Sequence, residues 1–421
     1  MLIELAVRVL AACLVQSAGP GHHHYEIQLE LSPARRYLEA EVVFDFRAAP
    51  AGDSLVFYLH RQLALDSVWA DGLRGFVVRR AQRVPPYMPY AQLLMLRFDE
   101  PPSDAETTRI AFRYSGRLTR HGNPANALSE DWVELNLYSP FFPYNIDYGP
   151  FTYTLNVSLD EPYSVVGMGR TTGNGTSWTI EQDAPAIDII LTASKDYSLL
   201  QRSHDGLSVT IGFTSPARRV AEEIVEDGLW LLATYAEWLG DVGQQHASVV
   251  VSPRDVGGGY ARKGFIVLAA VDEQVYSQNQ ERYFKHMAHE FAHIWWSRAP
   301  VDSWEDWLNE SFAEYSALMA VREVYGPAAF DGILEEKWAV AFDMPPLVEV
   351  ERNSEGAYAV LYNKGPILLN ELEMRLGGDR FRTLLREAVA RDVSSTDRFL
   401  ELLGLLEGEA IRSEFAALLA R

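Results

Sequence analysis

Apolar and polar residues alternate in short runs over the first half of the chain, from about residue 24 to residue 212. The runs read YEIQLEL, LEAEVVFDF, SLVFYLH, LLMLRF, IAFRYSG, FTYTLNVSL, IDIILTA and LSVTIGF, with turn residues between them. An alternation of period two places successive side chains on opposite faces of a strand, so each run predicts a strand with one buried face. Residues 22–212 are therefore predicted to form a β-rich domain.

The pattern becomes helical after residue 213. VAEEIVEDGLWLLATYAEWLG has apolar residues at helical spacing and ends at a glycine. Two strand-like pieces, ASVVVS and GFIVLAAV, lie on either side of the glycine-rich segment DVGGGYARKG. Beyond residue 279 helices are predicted to begin near 280, 304, 327, 357, 378, 395 and 408. The pattern thus predicts a multidomain α+β chain whose second domain, residues 213–421, is mainly helical.

Chain length and net charge limit the number of domains and the classes of partner that we expect. A chain of 421 residues exceeds what one hydrophobic core usually organises, which agrees with more than one domain. The 37 basic and 58 acidic residues give a net charge of −21, which argues against nucleic acid or an anionic membrane as the main partner. We expect a cationic or neutral substrate, no nucleic-acid partner and no transmembrane span.

The first 21 residues have the small and apolar character of an export signal, although Glu4 and Arg8 interrupt it. The segment LAAC at 10–13 resembles a bacterial lipoprotein cleavage box, in which Cys13 would be acylated. Because Cys13 is the only cysteine, no disulfide can form within the chain. Two interpretations stay open: an exported or envelope-anchored protein, and a cytoplasmic protein with an ordinary helical or disordered amino terminus.

The segment HMAHEFAHIWWS at 286–297 carries the clearest candidate chemistry. His289 and His293 are four residues apart in a predicted helix, so both imidazoles lie on one face and can bind one zinc ion. Glu290 lies off that axis, where a carboxylate can accept a proton from an attacking water. The aromatic neighbours predict a buried helix, and metal binding removes the cost of burying unpaired imidazoles. The alternative is a helix whose histidines are satisfied by hydrogen bonds.

A catalytic zinc needs a third protein ligand and keeps one open position. An HxxGxxH extension is absent, because IWWSRAP follows His293. The next predicted helix contains WLNESFAEY, where Glu310 and Glu314 share a face by the i, i+4 rule. Either carboxylate can reach the metal if the two helices pack antiparallel, so spacing alone leaves both open.

HEFAH followed by WLNESFAEY resembles the aminopeptidase N family of zinc metallopeptidases, which includes leukotriene hydrolase. The resemblance implies one zinc ion held by His289, His293 and Glu310, with Glu314 not a ligand. Sixteen residues separate His293 from Glu310, whereas the family usually has about eighteen. His286 is then expected to pack beside the ligands.

The family also has a tyrosine that stabilises the oxyanion, in a YxKG segment. LYNKG supplies it here as Tyr362, with Lys364 and Gly365 in register. A phenol suits this role because it donates a hydrogen bond and stays protonated at neutral pH. The alternatives are an aromatic residue packed in the core and, for the oxyanion, Tyr358 one turn earlier.

The resemblance implies a saddle-like all-β domain followed by a thermolysin-like catalytic domain. We expect no counterpart of the large carboxy-terminal helical domain of longer members, and hence a more open cleft. Family exopeptidases bind the substrate amine through a GxMEN glutamate, on a strand that also pairs with the substrate. The matching stretch, GGGYARKGFIVL, has Ala261 at the glutamate and Arg262 at the asparagine.

The glycines of this stretch can still let the backbone approach a peptide, although a mobile turn is the alternative. The predicted substrate-binding residues of the stretch are Gly257, Gly258, Gly259, Tyr260 and Arg262. A second amine-binding acid of the family maps to Glu134, counting back from Pro143, and its alternative is a strand carboxylate facing solvent.

These features predict a zinc-dependent peptidase, an aminopeptidase with altered recognition of the substrate amino terminus. Glu290 is the expected base and Tyr362 the expected oxyanion donor. The rival from another class is a catalytically silent binding or scaffold protein that keeps the zinc fold.

Overall fold

A computed structural model describes most of the chain beyond the amino terminus. The described residues are 23–47, 52–80, 84–85, 87–103, 106–122, 126–214, 218–254, 259–301, 303–348, 350–352, 354 and 356–421. The predicted signal segment with Cys13 lies outside them. The chain divides into two compact units, residues 1–165 with 170–195 and residues 166–169 with 196–421. The first is rich in sheet and the second in helix, which confirms the predicted α+β class.

A seven-stranded sheet forms the centre of the first unit, with the strand order β12-β13-β10-β1-β2-β7-β4. Its strands are β1 (His23–Ser32), β2 (Tyr37–Phe46), β4 (Leu63–Ala70), β7 (Thr108–Arg117), β10 (Phe151–Leu159), β12 (Arg170–Asn174) and β13 (Ser177–Ala186). β1 runs parallel to β10 and antiparallel to β2. Alternate residues of β1 are buried, as the period of two predicts: Tyr25, Ile27, Leu29 and Leu31.

Two smaller sheets complete the strands of the first half. One has the order β3-β6-β5 and consists of β3 (Ser54–His60), β5 (Leu73–Arg79) and β6 (Ala91–Phe98). The other contains β8 (Ala127–Leu128), β9 (Val133–Leu135) and β14 (Leu191–Ser194). A short strand, β11 (Ser164–Gly167), precedes β12 along the chain. β12 and β13 form a hairpin, and Gly175 in the turn between them has φ of 55°.

The second unit has a five-stranded sheet of order β15-β16-β17-β19-β18. Its strands are β15 (Ser198–His204), β16 (Leu207–Phe213), β17 (His246–Val251), β18 (Tyr260–Arg262) and β19 (Phe265–Leu268). The second compact unit resumes at Asp196, whereas the sequence pattern placed the domain boundary at 212/213. Alternation identified β16 as a strand but not its partner, and β16 pairs in parallel with β17 of the second unit.

Ten helices follow the sheet strands or lie between them in the described part of the second unit. They are α1 (Arg218–Leu239), α2 (Glu273–Gln278), α3 (Gln280–Ala292), α4 (Trp307–Tyr325), α5 (Pro327–Ala341), α6 (Ala357–Ala359), α7 (Gly365–Leu376), α8 (Gly378–Ala390), α9 (Thr396–Glu407) and α10 (Glu409–Leu419). A 3-10 turn, Trp304–Asp306, leads into α4, and a π-helical turn, Val360–Lys364, joins α6 to α7. The helices begin close to the predicted positions. Among the described residues, no helix combines the length and apolar character that a membrane crossing requires.

The core of the second unit surrounds α4. Nearly every residue of α4 from Trp307 to Val321 is buried, so the helix is enclosed on all sides rather than on one stripe. Aromatic side chains of α3 and of the segment after it, including Phe291 and Trp296, belong to the same core. The carboxylates of α4 therefore lie in a dry interior, where they need charged partners.

Candidate metal centre and active site

α3 brings the two motif histidines together near its carboxyl end. Nε2 of His289 lies 3.2 Å from Nε2 of His293. Nδ1 of His293 lies 3.0 Å from the carbonyl oxygen of Trp296, a contact in which Nδ1–H donates. That hydrogen bond leaves the Nε2 lone pair of His293 directed at His289, as a metal ligand requires.

The first turn of α4 adds Glu310 to this pair. Its Oε2 lies 3.4 Å from Nε2 of His289 and 3.6 Å from Nε2 of His293. A tetrahedral zinc with ligand bonds of about 2.0–2.1 Å separates its ligand atoms by roughly 3.3–3.4 Å. Oε2 of Glu310 is buried and has no well-formed hydrogen bond within the described residues. The three atoms therefore have the spacing and chemistry of a zinc site, and these residues form a candidate metal group.

Glu314, the other carboxylate on this face of α4, occupies a different place. Its Oε2 lies 3.0 Å from Nδ1 of His289, on the side of the ring opposite the candidate metal position. Its Oε1 lies 2.6 Å from Nζ of both Lys285 and Lys337. Burial acts to raise the pKa of Glu314, but Lys285, His289 and Lys337 outweigh it and hold the pKa well below its usual value. Glu314 thus orients His289 as an ionised partner.

The electrostatics of the ligands fit a cation. Burial acts to raise the pKa of Glu310, but the adjacent imidazoles of His289 and His293 lower it to about 2. Burial acts to lower the pKa of His289, but the adjacent carboxylates of Glu310 and Glu314 outweigh it and raise the pKa to about 10. Both shifts show an anionic pocket that favours a positive charge at the imidazoles, which a divalent metal supplies.

Glu290 lies beside the ligand group and outside it. The side chain is buried, and Oε1 lies 3.9 Å from Nε2 of His286. His286 packs at the edge of the site, because a Cβ placed on Gly259 would lie 3.0 Å from its Nε2. Glu290 thus has His286 as a neighbour and is not one of the candidate ligand group, and its part in proton transfer stays a prediction.

Tyr362 enters the site from the π-helical turn. Its ring stacks on that of His289, with centroids 5.4 Å apart and an interplanar angle of 27°. Burial, then the nearby Glu310 and Glu290, raise the pKa of Tyr362 above its usual value, so the phenol remains a donor. Tyr358 stacks on the outer face of Tyr362 at 4.2 Å and is 65% exposed. Tyr362 is therefore the tyrosine that contacts the metal ligands.

Close packing explains the glycine after this turn. A Cβ on Gly365 would overlap the side chain of Ser311, which directly follows Glu310 on α4. Oγ of Ser311 donates to the carbonyl of Leu361 at 2.7 Å. Gly365 thus lets the turn lie against α4, and π-helical turns of this kind occur frequently at functional sites.

The predicted substrate strand is the edge strand of the five-stranded sheet. β18 pairs only with β19 among the described strands, which leaves its outer side open. The ring of Tyr260 lies 5.6 Å from the guanidinium carbons of both Arg254 and Arg262. Ala261 occupies the centre of the strand and brings no carboxylate to it. Gly257 and Gly258 lie outside the described residues, whereas Gly259 directly precedes the strand.

Glu134 lies on β9 of the first unit and is fully buried. Its Oε2 accepts a hydrogen bond from Nε1 of Trp132 at 3.1 Å. The alternative of a solvent-facing carboxylate is therefore wrong, and the role of Glu134 in binding an amine stays a prediction.

Comparison with known proteins supports the resemblance seen in the motifs. Residues 264–410 match the sequence model of the Peptidase family M1 domain. Human endoplasmic reticulum aminopeptidase 2 is 27% identical over 146 residues, a match that spans 31% of this chain and 15% of that protein.

Solved structures share the fold. The M1 zinc metallopeptidase from Deinococcus radiodurans has a TM-score of 0.73 at 19% identity, over 97% of this chain and 96% of that one. A variant of an M1 zinc metallopeptidase from the same organism, bound to a Tyr-Ser-Ala substrate, has a TM-score of 0.69 at 19% identity, over 96% and 95%.

The class of protein that this chain resembles is the zinc metallopeptidases, and the group of His289, His293 and Glu310 fits zinc as the cofactor. The match over residues 264–410 agrees with the predicted resemblance to the aminopeptidase N family.

Proposed function

We propose that this chain hydrolyses peptide bonds at a zinc site held by His289, His293 and Glu310. The observation that carries the proposal is the triangle of ligand atoms, 3.2, 3.4 and 3.6 Å on its sides. Zinc, when bound, polarises the scissile carbonyl and lowers the pKa of water. The candidate base and the candidate oxyanion donor both lie beside this triangle.

The protein groups then have distinct tasks. The Glu290 carboxylate takes the proton of the attacking water and passes it to the leaving amine, because it is next to His289 and is not a ligand. The Tyr362 hydroxyl donates a hydrogen bond to the oxygen that becomes negative, and its raised pKa keeps the proton on the phenol. The buried wall around α3 and α4 excludes water, which strengthens both interactions.

We propose further that recognition of the substrate amino terminus is altered. An extended peptide can add to the open side of β18 by main-chain hydrogen bonds. At the centre of this strand Ala261 brings no anion for an α-ammonium group, and the neighbouring guanidiniums of Arg254 and Arg262 are cationic. Arginines at this edge favour a carboxylate or a blocked terminus over a free amine.

The test compares each peptide with its N-acetylated form, using zinc-loaded protein with and without chelator. Cleavage of both forms, lost on chelation, is the expected result. A strict requirement for the free amine contradicts altered recognition but leaves the peptidase intact. One zinc per chain without turnover of any peptide in a broad panel favours the scaffold alternative.

A further inference from the structure

Lys337 is a buried lysine of α5 that contacts two separate parts of the site. Its Nζ lies 2.6 Å from Oε1 of Glu314 and donates to the carbonyl oxygen of Tyr362 at 2.7 Å. Only 7% of the residue is exposed. A buried ammonium is costly unless it is paired, and Glu314 supplies the countercharge.

The carbonyl of Tyr362 lacks the donor that a regular α-helix would supply. Pro366 lies four residues later and has no N–H, so the ordinary helical hydrogen bond to this carbonyl cannot form. Lys337 reaches the carbonyl from α5, and Ser311 holds the preceding carbonyl, that of Leu361, from α4. Two side chains from neighbouring helices thus hold the π-helical turn.

We propose that Lys337 is a positioning residue that couples the zinc ligand His289 to the oxyanion donor Tyr362, an inference that rests on the proposed function. One end of the connection is Glu314, whose Oε2 lies 3.0 Å from Nδ1 of His289. The other end is the backbone of Tyr362, whose ring stacks on His289. The Lys337 ammonium therefore fixes the position of the Tyr362 phenol relative to the His289 imidazole.

Lys285 provides a matched comparison within the same site. Its Nζ lies 2.6 Å from the same Oε1 of Glu314. Within the described residues, it has no hydrogen bond to the π-helical turn. Replacement of either lysine by methionine leaves Glu314 paired with the other one, so the carboxylate stays compensated in both variants. A loss specific to Lys337 then reports on Tyr362.

The kinetic test uses Lys337→Met and Lys285→Met with kcat expressed per bound zinc. We expect kcat of the Lys337 variant to fall about tenfold to hundredfold, because a misplacement of about 1 Å is that costly. KM should change less, and both variants should weaken zinc by a similar factor. Lys337→Arg, which keeps charge and donors, should recover most of kcat. Equal losses of kcat in the two methionine variants overturn the proposal.

A double-mutant cycle separates positioning of Tyr362 from general damage. In a Tyr362→Phe background, Lys337→Met should lower kcat by no more than about twofold, since the group it positions is gone. The same loss of kcat in both backgrounds overturns the proposal.

A second readout does not depend on activity. Hydrogen exchange at residues 357–367, measured with and without zinc, should be faster in Lys337→Met than in wild type and unchanged in Lys285→Met. Wild-type protein that binds zinc without turnover refutes the proposed function, while the exchange data still decide the coupling. If Lys337→Met fails to fold, Lys337→Gln, whose side chain is one atom shorter, should show the same change. Unaltered exchange in a folded Lys337 variant overturns the proposal.

Discussion

The metal centre and the substrate strand lie in the same unit and differ in how closely they follow the family. At the candidate metal centre, the predicted ligands and the predicted oxyanion donor Tyr362 lie together around His289. On β18, the position of the amine-binding glutamate holds Ala261, and cationic side chains flank Tyr260. The difference teaches that the predicted chemistry and the predicted selection of substrate rest on separate elements of this unit.

The separation has a structural basis. The candidate ligands lie on two helices whose side chains pack together in the core, so a change at one position disturbs several contacts. The substrate strand is an edge strand of three residues, partly exposed and paired on one side among the described strands. Substitution there costs little stability, because few buried contacts are lost.

The largest expected effect tests the chemical half of the comparison. Glu290→Gln should bind zinc normally and lose about 10²–10⁴-fold in kcat, the usual contribution of a positioned general base. Zinc content by elemental analysis and single-turnover rates check both parts. Glu281→Gln, on the first turn of the same helix, is the control. A Glu290 variant with full activity would remove this residue from the mechanism.

The next largest effect concerns Glu314, the carboxylate that faces the candidate ligand His289. Glu314→Gln removes the charge that faces Nδ1 of His289 and should weaken zinc about 10–100-fold, as loss of such partners typically does. Competition with a chromophoric chelator measures the affinity. Glu323→Gln, an exposed carboxylate on the same helix, should leave zinc affinity unchanged. Equal affinities in the two variants would show that Glu314 has no part in binding the metal.

The smallest expected effect tests how β18 recognises the amino terminus of the substrate. Ala261→Glu places a carboxylate on the substrate strand and should raise the preference for free over acetylated peptides about fivefold, which corresponds to an ion pair of about 1 kcal/mol. Ratios of kcat/KM for matched peptides give the preference. Ala261→Gln has the same length without the charge. If Ala261→Gln changes the preference for free over acetylated peptides as much as Ala261→Glu does, the charge at this position does not determine the preference.

The sequence predicted the ligand helix best, because the spacing of His289 and His293 translates directly into one face of one helix. The starts of several helices were also predicted closely. Glycines with positive φ, such as Gly326, Gly377 and Gly408, end one helix directly before the next one begins. Spacing could not choose between Glu310 and Glu314, since both lie on the face toward α3. The family resemblance implied Glu310, and the structure places its Oε2 among the Nε2 atoms.

Other features had no local signal. Alternation showed that β16 is a strand, yet its pairing with β17 is a tertiary contact that a local pattern does not reveal. Lys337 was missed because a lysine in a helical segment ordinarily indicates a solvated face. Its burial follows from the positions of Glu314 on α4 and of Tyr362 on the π-helical turn, neither of which is near it in sequence.

The π-helical turn sets the rotation of α7 about the helix axis relative to α6. Each residue of an α-helix advances about 100° around the axis, so one residue more or fewer rotates α7 by that angle relative to α6. Deletion of one residue within Val360–Lys364 would restore a regular helix and turn either Tyr362 from the imidazole or Gly365 from Ser311. The length of this short segment is thus as constrained as the identity of its tyrosine.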